Sequence, residues 1–210
     1  MRQRAGDEIE VFDGEGRSAV GEITSAGKRE VAVRILSETL TPKPPRHVRL
    51  LQSLPKGKNM DWIIQKAVEL GVSEIVPLQA ENCVVQAKSS DDKRRKVEKW
   101  QRVALEACKQ CGQNWMVQVR DVQSPQEAVQ NLAGEKIIGS LQDGSVPLRE
   151  KVGTLPAEGE LTFAVGPEGD FSAAEYQLFA EAGFAPVTLG NLVLRVETAS
   201  FALLTAAALF

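Results

Sequence analysis

The residues best placed to do chemistry lie near the carboxyl end. They are Glu168 and Asp170 in Gly166-Pro167-Glu168-Gly169-Asp170, and Arg195 and Glu197 in Leu189-Gly190-Asn191-Leu192-Val193-Leu194-Arg195-Val196-Glu197-Thr198-Ala199. The first segment follows Leu161-Thr162-Phe163-Ala164-Val165, an apolar run of the kind a fully buried strand shows, and precedes Ser172 and Glu175, which have the spacing of a helix capping box. A strand, a glycine loop and a capped helix in that order usually hold a ligand. In nucleotide enzymes that ligand is a phosphate at the helix N-terminus. Here two carboxylates would repel a phosphate, and the chain has neither a P-loop lysine nor a G-x-G-x-x-G fingerprint. A neutral or cationic ligand held by backbone groups fits better, and S-adenosylmethionine, a sulfonium without phosphate, is one such ligand. For this loop alone, a plain strand-to-helix turn is the other reading.

In the second segment Leu189, Leu192, Val193 and Leu194 surround Arg195 and Glu197, ionisable groups that rarely enter so apolar a stretch without a partner or a task. The bland account is a structural Arg195–Glu197 ion pair at a helix start. Ser200 to Phe210 is then apolar around its whole circumference apart from Ser200 and Thr205, which predicts a helix buried on all sides, in a core or a subunit interface. It is shorter than the roughly 20 residues that span a bilayer.

Together these segments resemble the RsmE family, the 16S ribosomal RNA uridine N3-methyltransferases of the SPOUT superfamily, whose G-P-E-G-G loop and L-G-x-x-I-L-R-x-E-T-A segment line a cofactor pocket. Upstream, Lys56-Gly57-Lys58-Asn59-Met60-Asp61-Trp62-Ile63-Ile64-Gln65-Lys66-Ala67-Val68-Glu69-Leu70-Gly71-Val72 is similar to the family's K-G-x-R-M-x-x-I-I-Q-K-A-T-E-L-G-V block. Glu106-Ala107-Cys108-Lys109-Gln110-Cys111-Gly112 is similar to its E-A-x-x-Q-S/C-G block. Three positions depart from the pattern. Asp170 replaces a second glycine, Gln113 an arginine after the E-A-x-x-Q-S/C-G block, and Asn59 an arginine before the methionine. Met1-Arg2-Gln3-Arg4-Ala5-Gly6-Asp7 enters where the family's N-terminal barrel is already under way, so its first strand is expected to be missing.

The resemblance implies an α/β fold: a SPOUT-type parallel sheet with a C-terminal trefoil knot over 42–210, preceded by a PUA-like β-barrel that binds RNA over 1–41. It implies a cytoplasmic homodimer acting on ribosomal RNA or the small ribosomal subunit, away from any membrane. S-adenosyl-L-methionine would be held by Leu141, Gly166, Gly169, Leu189, Gly190 and Leu194. Arg195 would polarise a uracil carbonyl, and Glu197 or Glu168 would accept the N3 proton. Arg46, Arg49, Lys56, Lys58 and Lys66 would meet RNA. Two other classes fit the residues: a non-catalytic RNA-binding protein of the same fold, and an α/β enzyme acting on a small metabolite.

The positioning elements follow from pattern and punctuation. Short strand-like runs at Glu8–Phe12, Ala19–Ile23 and Glu30–Leu36, separated by glycine turns, predict the hairpins of a small barrel, and Pro42, Pro44 and Pro45 mark a linker. Strand-like segments at 47–54, 74–78, 136–141, 161–165 and 186–189 mostly alternate with helical ones, which predicts a largely parallel sheet. Met60, Ile63, Ile64, Ala67 and Val68 form one helical stripe, closed by Gly71; Val97, Trp100, Ala104, Ala107, Cys108 and Cys111 form a second, after Asp91-Asp92.

The net charge of -3 is unevenly spread. Residues 1–102 carry 19 Lys+Arg against 15 Asp+Glu (+4), and the remainder carries 6 against 13 (-7). Lys43, Arg46, Arg49, Lys56 and Lys58 occur without an acid between Leu40 and Met60, at the expected domain junction, where they could neutralise RNA phosphates. The basic run from Lys93 to Arg102 is as well explained by a solvated helix face. The N-terminus is polar and charged, without a signal peptide. An odd set of cysteines, Cys83, Cys108 and Cys111, points to reduced thiols. The C-x-x-C spacing of Cys108 and Cys111 has no second pair to complete a zinc site, and the single His47 excludes multi-histidine metal centres.

Overall fold

The computed structural model describes residues 4–87 and 89–210. Met1 to Gln3, part of the abrupt start noted above, lie outside them. Three strands come first, β1 (Glu8–Phe12), β2 (Arg17–Ala26) and β3 (Val31–Leu40), paired antiparallel in the order β1-β2-β3. The β1–β2 turn is built by Asp13, whose Oδ1 accepts from the backbone N–H of Glu15 and Arg17. Register shifts at Val20/Gly21 and Ile23/Ser25 bend the pair. Nearly every residue of β3 is exposed, so among the described residues this unit is an open meander whose outer strand carries Ile35 and Leu36 in solvent.

After the prolines the chain alternates between strands and helices: β4 (Arg46–Ser53), α1 (Asn59–Glu69), β5 (Glu74–Leu78), α2 (Ser90–Cys111), β6 (Gln118–Val119), α3 (Pro125–Ala128), β7 (Glu135–Gly139), β8 (Val146–Pro147), α4 (Leu148–Val152), β9 (Gly159–Val165), α5 (Ala173–Glu181), β10 (Ala185–Thr188) and α6 (Val196–Leu209). Every pairing in the seven-stranded sheet is parallel, in the order β6-β5-β4-β9-β7-β10-β8. The late strand β9 sits between β4 and β7, and β10 between β7 and β8. Leu50, Leu51, Ile75, Ile137 and Phe163 on the sheet are fully buried, as are Ile63, Ile64 and Phe179 on the helices that cover it. Burial on both faces is what parallel strands with helical crossovers require, and it makes these strands read as continuous apolar runs.

Helix ends match their signals. Gly71 (φ +79) and Gly112 (φ +75) terminate α1 and α2 in the left-handed region, and Ser172 and Glu175 form a complete capping box at α5. Two expectations change. Cys111 lies on the exposed side of the last turn of α2, so the buried stripe ends at Cys108. Helix α6 buries Ser200, Leu203, Leu204 and Ala206 but leaves Leu209 and Phe210 exposed, while Phe201 packs edge-on against the half-exposed Trp62 (5.2 Å between centroids). Within one chain α6 therefore keeps an open apolar side.

The segment after α2 joins the two sheets. Trp115 Nε1 donates to the carbonyls of Thr41 and Pro42, both at 3.1 Å, and Asn114 Nδ2 donates to Ser18 Oγ and Thr41 Oγ1. Gly16 (φ +99) lies against the indole so closely that a Cβ there would come 2.7 Å from Trp115 Cζ2. No helix among the described residues is long and apolar enough to cross a membrane.

Candidate functional site

The carboxyl ends of β7, β9 and β10 open into a cavity of about 410 Å³. Its walls come from three loops: Gly139-Ser140-Leu141 after β7, Val165 to Glu168 and Asp170 after β9, and Thr188 to Gly190 with Leu192 to Arg195 after β10, which runs into the first turn of α6. A crevice beyond the carboxyl ends of parallel strands is where open α/β sheets hold ligands, and the volume suits a drug-sized molecule.

Of the six residues expected to hold a cofactor, Leu141, Gly166, Leu189, Gly190 and Leu194 line this cavity. Gly169 does not. It faces away from the cavity, towards Asn82, whose Nδ2 donates to the carbonyls of Gly169 (3.2 Å) and Asp170 (3.0 Å). A Cβ on Gly169 would meet Asn82 Cβ at 3.1 Å, so the residue is small because the loop is braced from behind. A second brace comes from Glu175, buried at 5 % exposure, which accepts from the backbone N–H of Glu81 and of Ser172. Gly190 (φ +126) makes a turn that L side chains rarely adopt, and the Thr188 hydroxyl donates to its carbonyl.

Arg195, Glu197 and Glu168 all line the cavity. Arg195 is the N-cap of α6, extended (φ -66, ψ 154) and exposed, with no ion pair or side-chain hydrogen bond among the described residues; the structural Arg195–Glu197 pair is not formed. Glu197, 8 % exposed in the first turn of α6, sits where the helix macrodipole favours a negative charge, and its Oε2 accepts from Asn59 Nδ2 at 3.4 Å. Glu168 is exposed and accepts from the backbone N–H of Lys56 at 2.9 Å. The short segment leading into α1 thus touches both acids, one through its backbone and one through Asn59.

Asp170 takes the left-handed conformation (φ +62) that glycine adopts most easily and Asp tolerates better than most residues. Its Oδ1 accepts from the backbone N–H of Phe171 (2.8 Å) and from the Tyr176 hydroxyl (2.7 Å). Burial pushes the Tyr176 phenol up to about 12, with the bond to Asp170 acting in the same direction, so it stays a donor across the neutral range. Ser140, on the β7 loop, lines the cavity as Asp170 does, and its hydroxyl accepts from the backbone N–H of Gln142. Sequence reasoning missed Tyr176 and Ser140; the one available signal was that the only tyrosine of the chain follows the acidic loop by two turns.

The basic residues divide. Lys56 and Lys58 are exposed beside the cavity mouth, and Lys66, on α1, pairs with Glu69 at 2.8 Å on the surface. Arg46 and Arg49 lie towards the amino end of β4, away from the cavity, and both are engaged inside the chain. Arg46 Nη1 donates to the carbonyl of Ala207 (2.7 Å) at the end of α6. Arg49 donates through Nε to Glu74 (2.7 Å) and lies 3.5 Å from Glu160. Burial would raise the Glu74 carboxyl, but hydrogen bonds from Arg49 and Arg120 outweigh it and hold the group below its ordinary value. Arg49 thus has its charge matched inside the chain, whereas Arg46 meets a carbonyl and no acid among the described residues. The Cys83 and Cys108 thiols are pushed up by burial, and no cluster among the described residues could hold a metal ion.

A family model described as an RNA methyltransferase domain matches residues 42–208, and one described as an RNA methyltransferase PUA domain matches 1–36. The ribosomal RNA small subunit methyltransferase E of Bacillus subtilis is 33% identical over 98% of this chain and 83% of its own. Among solved structures, a ribosomal RNA small subunit methyltransferase E from Neisseria gonorrhoeae bound to S-adenosyl methionine superposes with a TM-score of 0.86 at 34% identity, covering 97% of this chain and 83% of that one. A putative methyltransferase from Legionella pneumophila in complex with the same cofactor gives 0.86 at 31%, with the same coverage.

Proposed function

The chain belongs to the ribosomal RNA small subunit methyltransferase E family, and from that premise we propose that it methylates N3 of a uridine in 16S ribosomal RNA, with Arg195 and Glu197 handling the base. It is an RNA methyltransferase dependent on S-adenosylmethionine. The cavity suits that cofactor. Its loops offer backbone groups and apolar side chains, and three carboxylates face one guanidinium, a balance that favours a sulfonium and disfavours a phosphate.

When bound, the cofactor supplies a methyl carbon made electrophilic by the adjacent sulfonium. The residues must make N3 nucleophilic, because its lone pair is tied up in the imide until the proton leaves. Arg195, without a partner among the described residues and at the cavity wall, donates to a uracil carbonyl and stabilises the charge that develops as N3 loses its proton. Glu197 accepts that proton. The observation carrying this assignment is that both groups line the same cavity from one helix start without pairing with each other. Glu168 fits the role of base less well, since one oxygen already holds the Lys56 N–H and the side chain is exposed.

RNA approaches across the mouth beside Lys56 and Lys58, with residues 1–41 as a second RNA-binding module and Lys66 at the margin. The open side of α6, with Trp62 and Phe201, serves as the homodimer face, and the knotted path at the C-terminus belongs to the same reading. Titration calorimetry with S-adenosylmethionine, using ATP as control, followed by methylation of 16S ribosomal RNA with mapping of the modified base, tests the proposal. Selective cofactor binding with N3-methyluridine as product is expected; a product methylated at another base or atom would overturn the N3 assignment.

A further inference from the structure

We propose that Asp170 is a charge-selective wall of the cofactor cavity, favouring S-adenosylmethionine over its demethylated product, S-adenosylhomocysteine. The inference rests on the cofactor reading above. It begins from the backbone: at φ +62 a glycine would be the unstrained choice, yet an acid stands there. The acid is held by three interactions. Its carbonyl accepts from Asn82 Nδ2, and its Oδ1 accepts from the Phe171 N–H and from the Tyr176 hydroxyl. These bonds occupy one carboxylate oxygen. The other, Oδ2, has no hydrogen-bond partner among the described residues, and Asp170 lines the cavity.

The charge lining the cavity is one-sided, although Lys56 and Lys58 stand exposed at its mouth. Glu168, Asp170 and Glu197 line the cavity against Arg195 alone. Glu168 is met by a backbone N–H and Glu197 by an amide, so neither is neutralised by a cationic partner among the described residues. A cavity with this excess attracts cations.

Methyl transfer changes the charge of the ligand by one unit. The N3 electron pair forms the new bond to the methyl carbon, the electrons of the broken carbon–sulfur bond stay on sulfur, and the N3 proton leaves to a base. The sulfonium becomes a neutral thioether, while the ammonium and carboxylate of the amino-acid part are the same before and after. In the ratio of the two affinities every shared contact cancels, and the Coulomb effect on the sulfonium remains. A partly exposed carboxylate acting on a unit charge across such a cavity changes that ratio by about 3- to 10-fold. Asp170 would thereby let fresh cofactor outcompete the spent one for the cavity.

The test compares wild type with Asp170→Asn and Asp170→Gly by calorimetry with each ligand. Asparagine tolerates the left-handed conformation and keeps an oxygen to accept from Phe171 and Tyr176, so it removes charge while retaining those bonds. Glycine suits the backbone and serves if the asparagine variant fails to fold. The expected result is about 3- to 10-fold weaker binding of S-adenosylmethionine, with less than a twofold change for S-adenosylhomocysteine, and a wild-type preference that narrows at high salt. Equal loss of both affinities, or an unchanged ratio, would overturn the inference while leaving the cofactor reading intact. A folded wild-type protein that binds neither ligand would overturn both.

Discussion

The two ends of the parallel sheet use the same residue types to opposite purposes. At the amino end, Glu74 receives Arg49 and Arg120, and Arg46 caps the last turn of α6. At the carboxyl end, Arg195 and Glu197 stand two residues apart without an ion pair, in a cavity with two further acids. At the first end Glu74 is matched by two arginines and Arg46 is spent on a helix end, and these long-range contacts make them supports. At the second they are left for something that arrives. Residue type alone does not mark function here; whether the protein has already satisfied the group does.

The largest effect should come from unbalancing the closed end. Glu74→Ala leaves Arg49, 17 % exposed, without its main partner and should lower stability by about 3–5 kcal/mol in denaturant titration. A loss below about 1 kcal/mol would mean that Glu160 suffices and that the ends differ less than described. The pH dependence has a definite sign. Because the folded protein holds the Glu74 carboxyl below its ordinary value of 4.5, its contribution is present above that value and is lost as pH falls through the lower folded value. In Glu74→Gln this part of the acid sensitivity should vanish.

At the open end the effect should fall on rate. Arg195→Ala should reduce kcat by roughly 100- to 1,000-fold, or about 3–4 kcal/mol, with cofactor affinity and melting temperature nearly unchanged. If rate and cofactor affinity decline together, Arg195 is part of the binding wall and has no special task in the reaction. The smallest effect should appear at the rim. Lys58→Ala should weaken RNA binding modestly and lower the slope of log affinity against log salt by about 1, without changing cofactor binding. An unaltered slope would remove Lys58 from the RNA surface.

The open end was legible in the sequence because its features are local. Leu161 to Val165, the glycine loop and the Ser172/Glu175 cap follow each other without interruption, and Arg195 and Glu197 betray themselves by interrupting an apolar run. The contacts of the closed end were not legible, for the complementary reason. Arg46 finds Ala207, and Arg49 finds Glu74 and Glu160, across distances in sequence that no local pattern reports. Strands β6 and β8, two residues each, are too short to show a period. Gly169 was assigned to the pocket because the whole motif was, although its missing side chain makes room for Asn82. Asp170 read as a departure from a pattern until its backbone angle and its bond to Tyr176 gave it a place.

The position of β9 sets the order of events during synthesis. Its neighbour β4 is made more than a hundred residues earlier, and the pairing of Arg46 with Gly159 cannot form until the ribosome has released nearly the whole chain. Until then β4 offers an unpaired apolar edge, with Leu50 and Leu51 lacking their final cover. Contacts this distant are costly to close and slow to form. The nascent protein is therefore expected to depend on chaperone holding late in translation, and its yield to fall on warming before its activity does.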